Sequence, residues 1–399
     1  MTGRFRTPVA KATLLATGLL VFAAGCASNA PQDTFKPAGP QAKQIDDLAR
    51  PVFAIAIFVG IAVMVGTLYI VRKYRKRKDD DGNEFPKQIH GNFKAEIAWT
   101  IAPAVLLACV AVPTVFTVFD LAKKPSDNAL VVEVYGQQWW WEYRYNFDVD
   151  GDGKVDQIIT ANDLVIPTNR PIALRIKSRD VIHSWWAPAL NGKKDAVPGR
   201  VHPITIEAPQ AKEYIGQCTE FCGLSHAEMR IKVVGMSPND FQAWAEKQIV
   251  PFKPPEGKSA NAGWSTFASQ CTSCHRITGM TDPTDTTKEF VYPKVVNQVS
   301  GEVPNLTKLM TRTTFAGAKF DLRLPTPACK ALGENWAATP KGIQNCLNRE
   351  QLEAWLRNAP AEKAMHPGEA PSPQSRGMNN FNLTEDQIDD LVAFFITLQ

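Results

Sequence analysis

The chain has 399 residues, 44% apolar and 21% charged, with a formal net charge of +4. That length exceeds one typical domain and leaves room for about two or three. So small a net charge argues against a nucleic-acid binder, which would carry a concentrated basic face, and most of the basic excess lies in one short run.

The N-terminus sets Arg4, Arg6 and Lys11 ahead of the apolar run ATLLATGLLVFAAG, the form of an export signal over residues 1–25 and too short to span a bilayer comfortably. Ala23, Ala24 and Gly25 directly before Cys26 resemble a bacterial lipobox, although Leu is commoner where Ala23 stands. Cys26 is therefore expected to be acylated and to begin the mature chain, a plain cleaved signal or a retained anchor being the alternatives. Residues 26–50 read as an exported polar linker. Two apolar segments follow, Pro51 to Val71 and Ile97 to Phe119, each about long enough to cross the hydrocarbon core as a helix. Between them RKYRKRK marks the cytoplasmic end. The pair makes a transmembrane hairpin over 51–122 that leaves the rest of the chain outside the cytoplasm. Pro103 and Pro113 are tolerable in such a helix, and Cys109 reads as a small apolar residue.

From Leu130 the texture changes to short apolar or alternating runs broken by turns, such as LVVEVYGQQWWWEYRYNF and AEMRIKVVGM. Strands at this spacing predict an all-β sandwich or barrel over residues 123–250. Within it DVDGDGKVD places Asp148, Asp150, Asp152 and Gly153 as in the first half of a calcium loop. The last ligand position falls on Ile159 and no helix pair flanks the stretch, so it reads as an acidic hairpin turn. A Pro-rich linker over 251–258 leads to residues 259–399, where NREQLEAWLRNAP and LTEDQIDDLVAFFITLQ are helical in pattern and Thr384 is placed to cap the last helix.

The stretch CTEFCGLSHAEM, Cys218 to Met229, gathers two cysteines, a histidine and a methionine. Structural zinc prefers Cys-x-x-Cys knuckles, whereas electron-transfer copper takes thiolate, imidazole and a weak thioether on a rigid β framework. Three residues between Cys218 and Cys222 let both thiolates face one small space, and His183 in DVIHSWWAPAL is the candidate for a second imidazole. Taken singly, His183 reads as readily as a satisfied histidine and Met229 as a core residue; the joint spacing argues for ligands. Two bridging thiolates, two terminal histidines and two weak axial donors can hold two coppers that share one valence electron.

On these residues the chain, from about 45 to 240, resembles subunit II of cytochrome c oxidase, through the hairpin, YGQQWWWEYRY, DVIHSWWAP, DAVPGR and the copper loop. The resemblance implies a cupredoxin-like domain with a binuclear CuA centre. Cys218 and Cys222 would bridge the coppers, His183 and His226 would be terminal ligands, and Met229 and the Glu220 carbonyl would be weak axial donors. It implies further that the Glu220 side chain reaches a magnesium ion at the interface with the catalytic subunit. Trp139 would be where electrons arrive, and Glu96 the mouth of a proton path. By sequence alone Glu96 is only an acidic residue flanking a helix, and at least one of Trp140 and Trp141 is expected to be packing. Gln137 stands where many members carry His, which leaves the copper ligands untouched.

CTSCH, Cys271 to His275, is the c-type haem attachment pattern, two thiols for covalent linkage and a histidine for iron; a redox-active dithiol is the alternative. Candidates for the other iron ligand are Met280, Met310, Met365 and Met378, of which Met280 is too close to His275 to reach the opposite face. Residues 259–399 resemble a class I cytochrome c, in which the axial methionine shortly precedes the terminal helix. That implies Met378, with Met365 beside HPG as the second choice. Residues 318–347 look like an insertion whose Cys329 and Cys346 are expected to form a disulfide outside the cytoplasm, free thiols being the alternative.

The sequence is thus read as subunit II of a bacterial haem-copper oxidase with a fused all-α cytochrome c domain. The resemblance implies subunits I and III as partners, membrane lipid around the hairpin, and a quinol–cytochrome c reductase or a soluble cytochrome c as donor. It places the chain in the plasma (inner) membrane with both cofactor domains on the periplasmic face. Electrons would pass to haem a of subunit I for reduction of oxygen to water coupled to proton translocation. A flexible linker would hold the donor domain at about mM effective concentration. Two other classes fit part of the chain: the corresponding subunit of a CuA-type nitric oxide reductase, and a non-enzymatic copper carrier or assembly protein, for which CTSCH would have no purpose.

Overall fold

Helix α1 runs unbroken from Pro40 to Tyr74, so the segment expected to end a polar linker is helical and Pro51 lies inside the helix. Proline at the first helical position gives up an N–H that has no partner there in any case. One turn on, Lys43 pairs with Asp47 at 3.1 Å and Arg50 with Asp46 at 2.6 Å, which favours helix over linker. Just upstream, the N–H groups of Ala38 and Gly39 both donate to the Ala189 carbonyl at 2.8 Å, and Ala42 and Asp46 are buried. The outer end of α1 is thereby anchored on the β-domain. Helix α2 (Phe93–Leu121) extends slightly past the expected apolar run at both ends, with Asn92 capping its start by accepting from the Ala95 N–H at 3.1 Å. Gln44 of α1 donates to Asp120 of α2 at 2.9 Å. Both helices are long and apolar enough to cross a membrane, and their most apolar stretches bury nothing within the chain. This computed structural model describes residues 30–76, 88, 90–292, 303–333, 336–366 and 376–399; Cys26 and the export signal lie outside the described residues.

Ten strands follow: β1 (Leu130–Gln137), β2 (Trp140–Phe147), β3 (Asp156–Ala161), β4 (Asp163–Pro167), β5 (Ile172–Ser178), β6 (His183–Trp186), β7 (Lys194–Ala196), β8 (His202–Ile206), β9 (Glu213–Cys218) and β10 (Arg230–Met236). They form two five-stranded sheets, ordered β3-β2-β1-β5-β8 and β4-β10-β9-β6-β7, with β1 parallel to β5 and β4 parallel to β10. Alternation along β1 buries Val132 and Val134, which stand in register with Leu174 and Ile176 of β5. The architecture is a cupredoxin-like sandwich. Helix α3 (Pro238–Ile249), capped by Ser237, closes it by setting Trp244 against Tyr145, ring centroids 5.5 Å apart. The acidic stretch from Asp148 is the β2–β3 turn, where the Asp148 carboxylate accepts from Gly151 and Gly153 N–H at 2.7 and 2.9 Å.

The C-terminal domain is built on α4 (Lys258–Thr266), which runs through a π-turn (Phe267–Cys271) into the CTSCH stretch, and on α7 (Arg349–Glu362) and α8 (Glu385–Ile396). Thr384 and Gln387 form a reciprocal capping box at the start of α8, and Ile388, Leu391, Val392, Phe394 and Phe395 make its buried face. Helices α4 and α8 cross closely at Gly263, where any side chain would run into the Asp390 carbonyl. Between them lies the hairpin of β11 (Thr314–Phe315) and β12 (Phe320–Asp321), and the expected insertion, which takes in β12, carries the short helices α5 (Pro327–Lys330) and α6 (Pro340–Cys346). A disulfide joins Cys329 to Cys346.

The helical domain is not suspended from a flexible linker. Buried Asp163 of β4 accepts from the Thr313 N–H and Oγ1, each at 2.8 Å, and from the Thr314 hydroxyl. Arg230 N–H donates to the Gly317 carbonyl at 2.9 Å, and Arg323 of the insertion meets Glu213 of β9 at 2.8 Å. The expectation of a tethered domain followed from reading the linker alone. The contacts that fix the domain lie far from it in sequence.

Candidate metal centre and haem cavity

Strand β9 ends at Cys218 and β10 begins at Arg230, and the Cys218 N–H donates to the Met229 carbonyl at 2.9 Å, so the intervening loop folds back over the strand ends. Strand β6 pairs with β9 through Trp185 and Cys218, which sets His183, the first residue of β6, beside the loop. The two sulfurs lie 3.8 Å apart. Cys222 Sγ is 3.5 Å from His226 Nδ1 and 3.9 Å from Met229 Sδ; Cys218 Sγ is 4.0 Å from His183 Nδ1 and 3.3 Å from the Glu220 carbonyl oxygen. All the donors expected from the sequence thus converge on one small space. The Glu220 side chain points out to the surface.

The donor chemistry fits a soft metal cation such as copper. A hydrogen bond from Cys222, aided by one from His183, holds the Cys218 thiol down to about 4 despite burial. The same bond to Cys218, together with burial, pushes the Cys222 thiol far up. The pair therefore gives up its first proton readily and keeps the second, because two bare thiolates 3.8 Å apart need a positive ion between them. Burial works against charging His183, but its bonds to Asp180 and Cys218 outweigh that and raise its pKa.

Sequence reasoning missed Asp180. Its Oδ1 lies 2.8 Å from His183 Nε2, and its Oδ2 accepts the Gln138 N–H at 2.7 Å. A carboxylate on one imidazole nitrogen fixes the ring so that the other faces the ligand position, the usual arrangement around a metal-binding histidine. The three-residue spacing to His183 was the only signal available.

Cys271, Ser273, Cys274 and His275 of the CTSCH stretch line a cavity of about 310 Å³. Its walls are apolar, with Phe267, Leu309, Leu352, Leu356 and Phe395 among them, as a flat macrocycle requires. His275 Nδ1 donates to the Pro304 carbonyl at 2.9 Å, which leaves Nε2 as its other ring nitrogen for a metal, and burial lowers its pKa toward the neutral form that such ligation needs. Met378 and Met365 both line the cavity, with the Met378 N–H 3.4 Å from Met365 Sδ. Met280 and Met310 are core residues that do not line it.

The same cavity is lined by Gln138, Trp139, Trp140 and Asn162 of the β-domain. Trp139 Nε1 and Gln138 Nε2 both donate to the Cys222 carbonyl, at 2.9 and 2.7 Å. Trp141 instead is fully buried, its ring 5.9 Å from that of His183. Arg376 Nε reaches Gln138 Oε1 at 3.1 Å, and Lys363, also absent from the sequence reading, inserts its amine beside Trp139. Glu96 lies far along the chain at the first turn of α2, where it accepts from the Asn92 N–H at 3.1 Å and faces the helix N-terminus.

Residues 28–117 match the family description "Cytochrome C oxidase subunit II, transmembrane domain", residues 130–236 "Cytochrome C oxidase subunit II, periplasmic domain" and residues 260–399 "Cytochrome c". The chain is 35% identical to a cytochrome c oxidase subunit 2 of Alkalihalophilus pseudofirmus, over 65% of this chain and 75% of that one. It is 32% identical to a cytochrome c oxidase subunit 2 of Bacillus sp. strain PS3, over 82% and 80%. Among solved structures, the periplasmic domain of subunit II of cytochrome oxidase (CoxB) of Bradyrhizobium japonicum is 30% identical, with 31% of this chain and 96% of that one covered and a TM-score of 0.27.

Proposed function

The chain belongs to the cytochrome c oxidase subunit II family, and from that premise we propose that its C-terminal domain receives electrons, hands them through Trp139 to the copper loop, and so delivers them to subunit I. When bound, a copper pair would store one electron shared between two metals, and a covalent haem would store another. Cys271 and Cys274 would anchor the haem, and His275 and Met378 would hold its iron. His183, Cys218, Cys222, His226, Met229 and the Glu220 carbonyl would hold the coppers. The observation that carries the reading is that Trp139 lines the haem cavity while its indole N–H bonds the carbonyl of Cys222. One side chain therefore touches both sites.

The exposed Glu220 carboxylate would reach a magnesium ion at the subunit I interface, and Glu96 would stand at a proton path on the opposite side of the membrane. The basic residues that close α1 support a cytoplasmic loop between the helices, and both cofactor domains would then lie outside the bacterial plasma membrane. Subunit III, a reductase or soluble cytochrome as donor, and acylation at Cys26 belong to the same reading. Oxygen reduction and proton translocation would then take place in the partner subunits. Electron paramagnetic resonance on the purified complex tests the proposal. Hyperfine structure from one electron over two equivalent coppers is expected, and a single-copper pattern with all six donors intact would overturn it.

A further inference from the structure

We propose that Lys363 is the positioning residue of the electron handover, locking the cytochrome domain onto the carbonyl of Trp139 so that the haem cavity meets the copper loop in one fixed register. The inference rests on reading Trp139 as the bridge between the two sites. Lys363 follows the last residue of α7 and is 3% exposed. Its Nζ donates to the carbonyl oxygens of Trp139 at 2.8 Å, Ala316 at 2.8 Å and Glu228 at 3.3 Å. Burial lowers its pKa to about 7, and the charged form, with three protons and no acceptor, is the one that three carbonyls satisfy completely. Two of them belong to the β-domain, one on the bridging tryptophan and one next to Met229 in the loop.

Gly317 carries the same argument independently. It sits at φ +79°, and a Cβ there would strike both the Lys363 amine and the Trp139 carbonyl. The backbone is thus shaped to admit the ammonium, and the Gly317 carbonyl takes the Arg230 N–H at 2.9 Å in the same contact. Asp163 makes the reciprocal arrangement, a β-domain carboxylate whose acceptors are filled by Thr313 and Thr314. Charges buried this way tolerate little displacement, because a shifted partner leaves an unsatisfied group in a low dielectric. A domain held only by its tether has no use for them. Trp139 is 4% exposed beneath this contact, so its ring is covered from a diffusing donor by the cytochrome domain.

The test uses the whole oxidase complex with K363M and, separately, G317A. A flash-driven soluble reductant delivers electrons to the haem while haem and copper absorbances are followed separately. In the unmodified complex the haem-to-copper step should not vary with ionic strength. In either variant the donor-to-haem step and both resting spectra should be unchanged, and the haem-to-copper step should slow by about tenfold or more, the scale of one lost charged hydrogen-bonding group. It should also become salt-dependent. Should one variant fail to assemble, the other decides. A transfer step as fast and as salt-independent as in the unmodified complex would overturn the proposal. Absence of copper or haem signals in the unmodified complex would instead overturn the underlying reading, so the two failures are distinguishable.

Discussion

The indole N–H of Trp139 donates to the carbonyl oxygen of Cys222 at 2.9 Å. Replacing Trp139 by Phe keeps most of the packing and removes this bond. A loss of about 1 kcal/mol from the β-domain is expected, with slower copper reduction and an unchanged copper spectrum. The spectrum should hold because Gln138 Nε2 still donates to the same carbonyl at 2.7 Å. An unaltered rate in time-resolved reduction would remove Trp139 from the path.

Asp180 orients the imidazole of His183 from 2.8 Å. Asp180→Asn keeps an acceptor there but loses its charge, so copper should be held roughly 10- to 100-fold more weakly. Chelator competition on the metal-loaded chain measures this, and equal retention by the variant would reduce Asp180 to packing.

Copper uptake by the metal-free chain should depend on pH in a defined direction. Cys218 is already a thiolate above about 4, whereas Cys222 keeps its proton through the neutral range. Binding therefore expels the Cys222 proton, and affinity should rise about tenfold per pH unit. Below the raised pKa of His183 a second proton must leave, and the slope steepens. Affinities measured between about pH 6 and 8 that did not change would contradict this assignment of protons.

The Cys329–Cys346 bridge closes a loop with a sequence separation of 17. Replacing both cysteines by serine should cost the insertion about 3 kcal/mol on the chain-entropy account. Denaturant titration followed at Trp336, buried within the insertion, reads it out, and a midpoint equal to that of the unmodified protein would contradict the account.

What could be read from the sequence was chemistry with a fixed spacing along the chain. The soft ligands of the 218–229 stretch, the CTSCH motif and the tryptophan triplet each announce themselves within a dozen residues. The strands were readable because burial on one sheet face imposes a period of two. Asp180 and Lys363 were not readable for a different reason. Each is an ordinary charged residue in a polar surrounding, and its role arises only when a turn brings it to His183 or when two domains close over it. The early start of α1 was hidden similarly, since the residues from Pro40 to Arg50 carry charges paired along a helix rather than an apolar face.

Helix α1 has 35 residues, about 52 Å of continuous rod, against about 30 Å of hydrocarbon. The part of it on the β-domain side of the apolar span, Pro40 to Arg50, is a mast of about 16 Å, bolted at its top to the Ala189 carbonyl and braced by Gln44 to the neighbouring helix. Height and heading of the copper loop above the lipid are therefore geared to residue count. One residue added between Asp47 and Arg50 would swing the mast head by about 100° and lift it by about 1.5 Å. A polar stretch with no chemistry of its own thus serves as the dial that sets how the β-domain is carried on the helix hairpin.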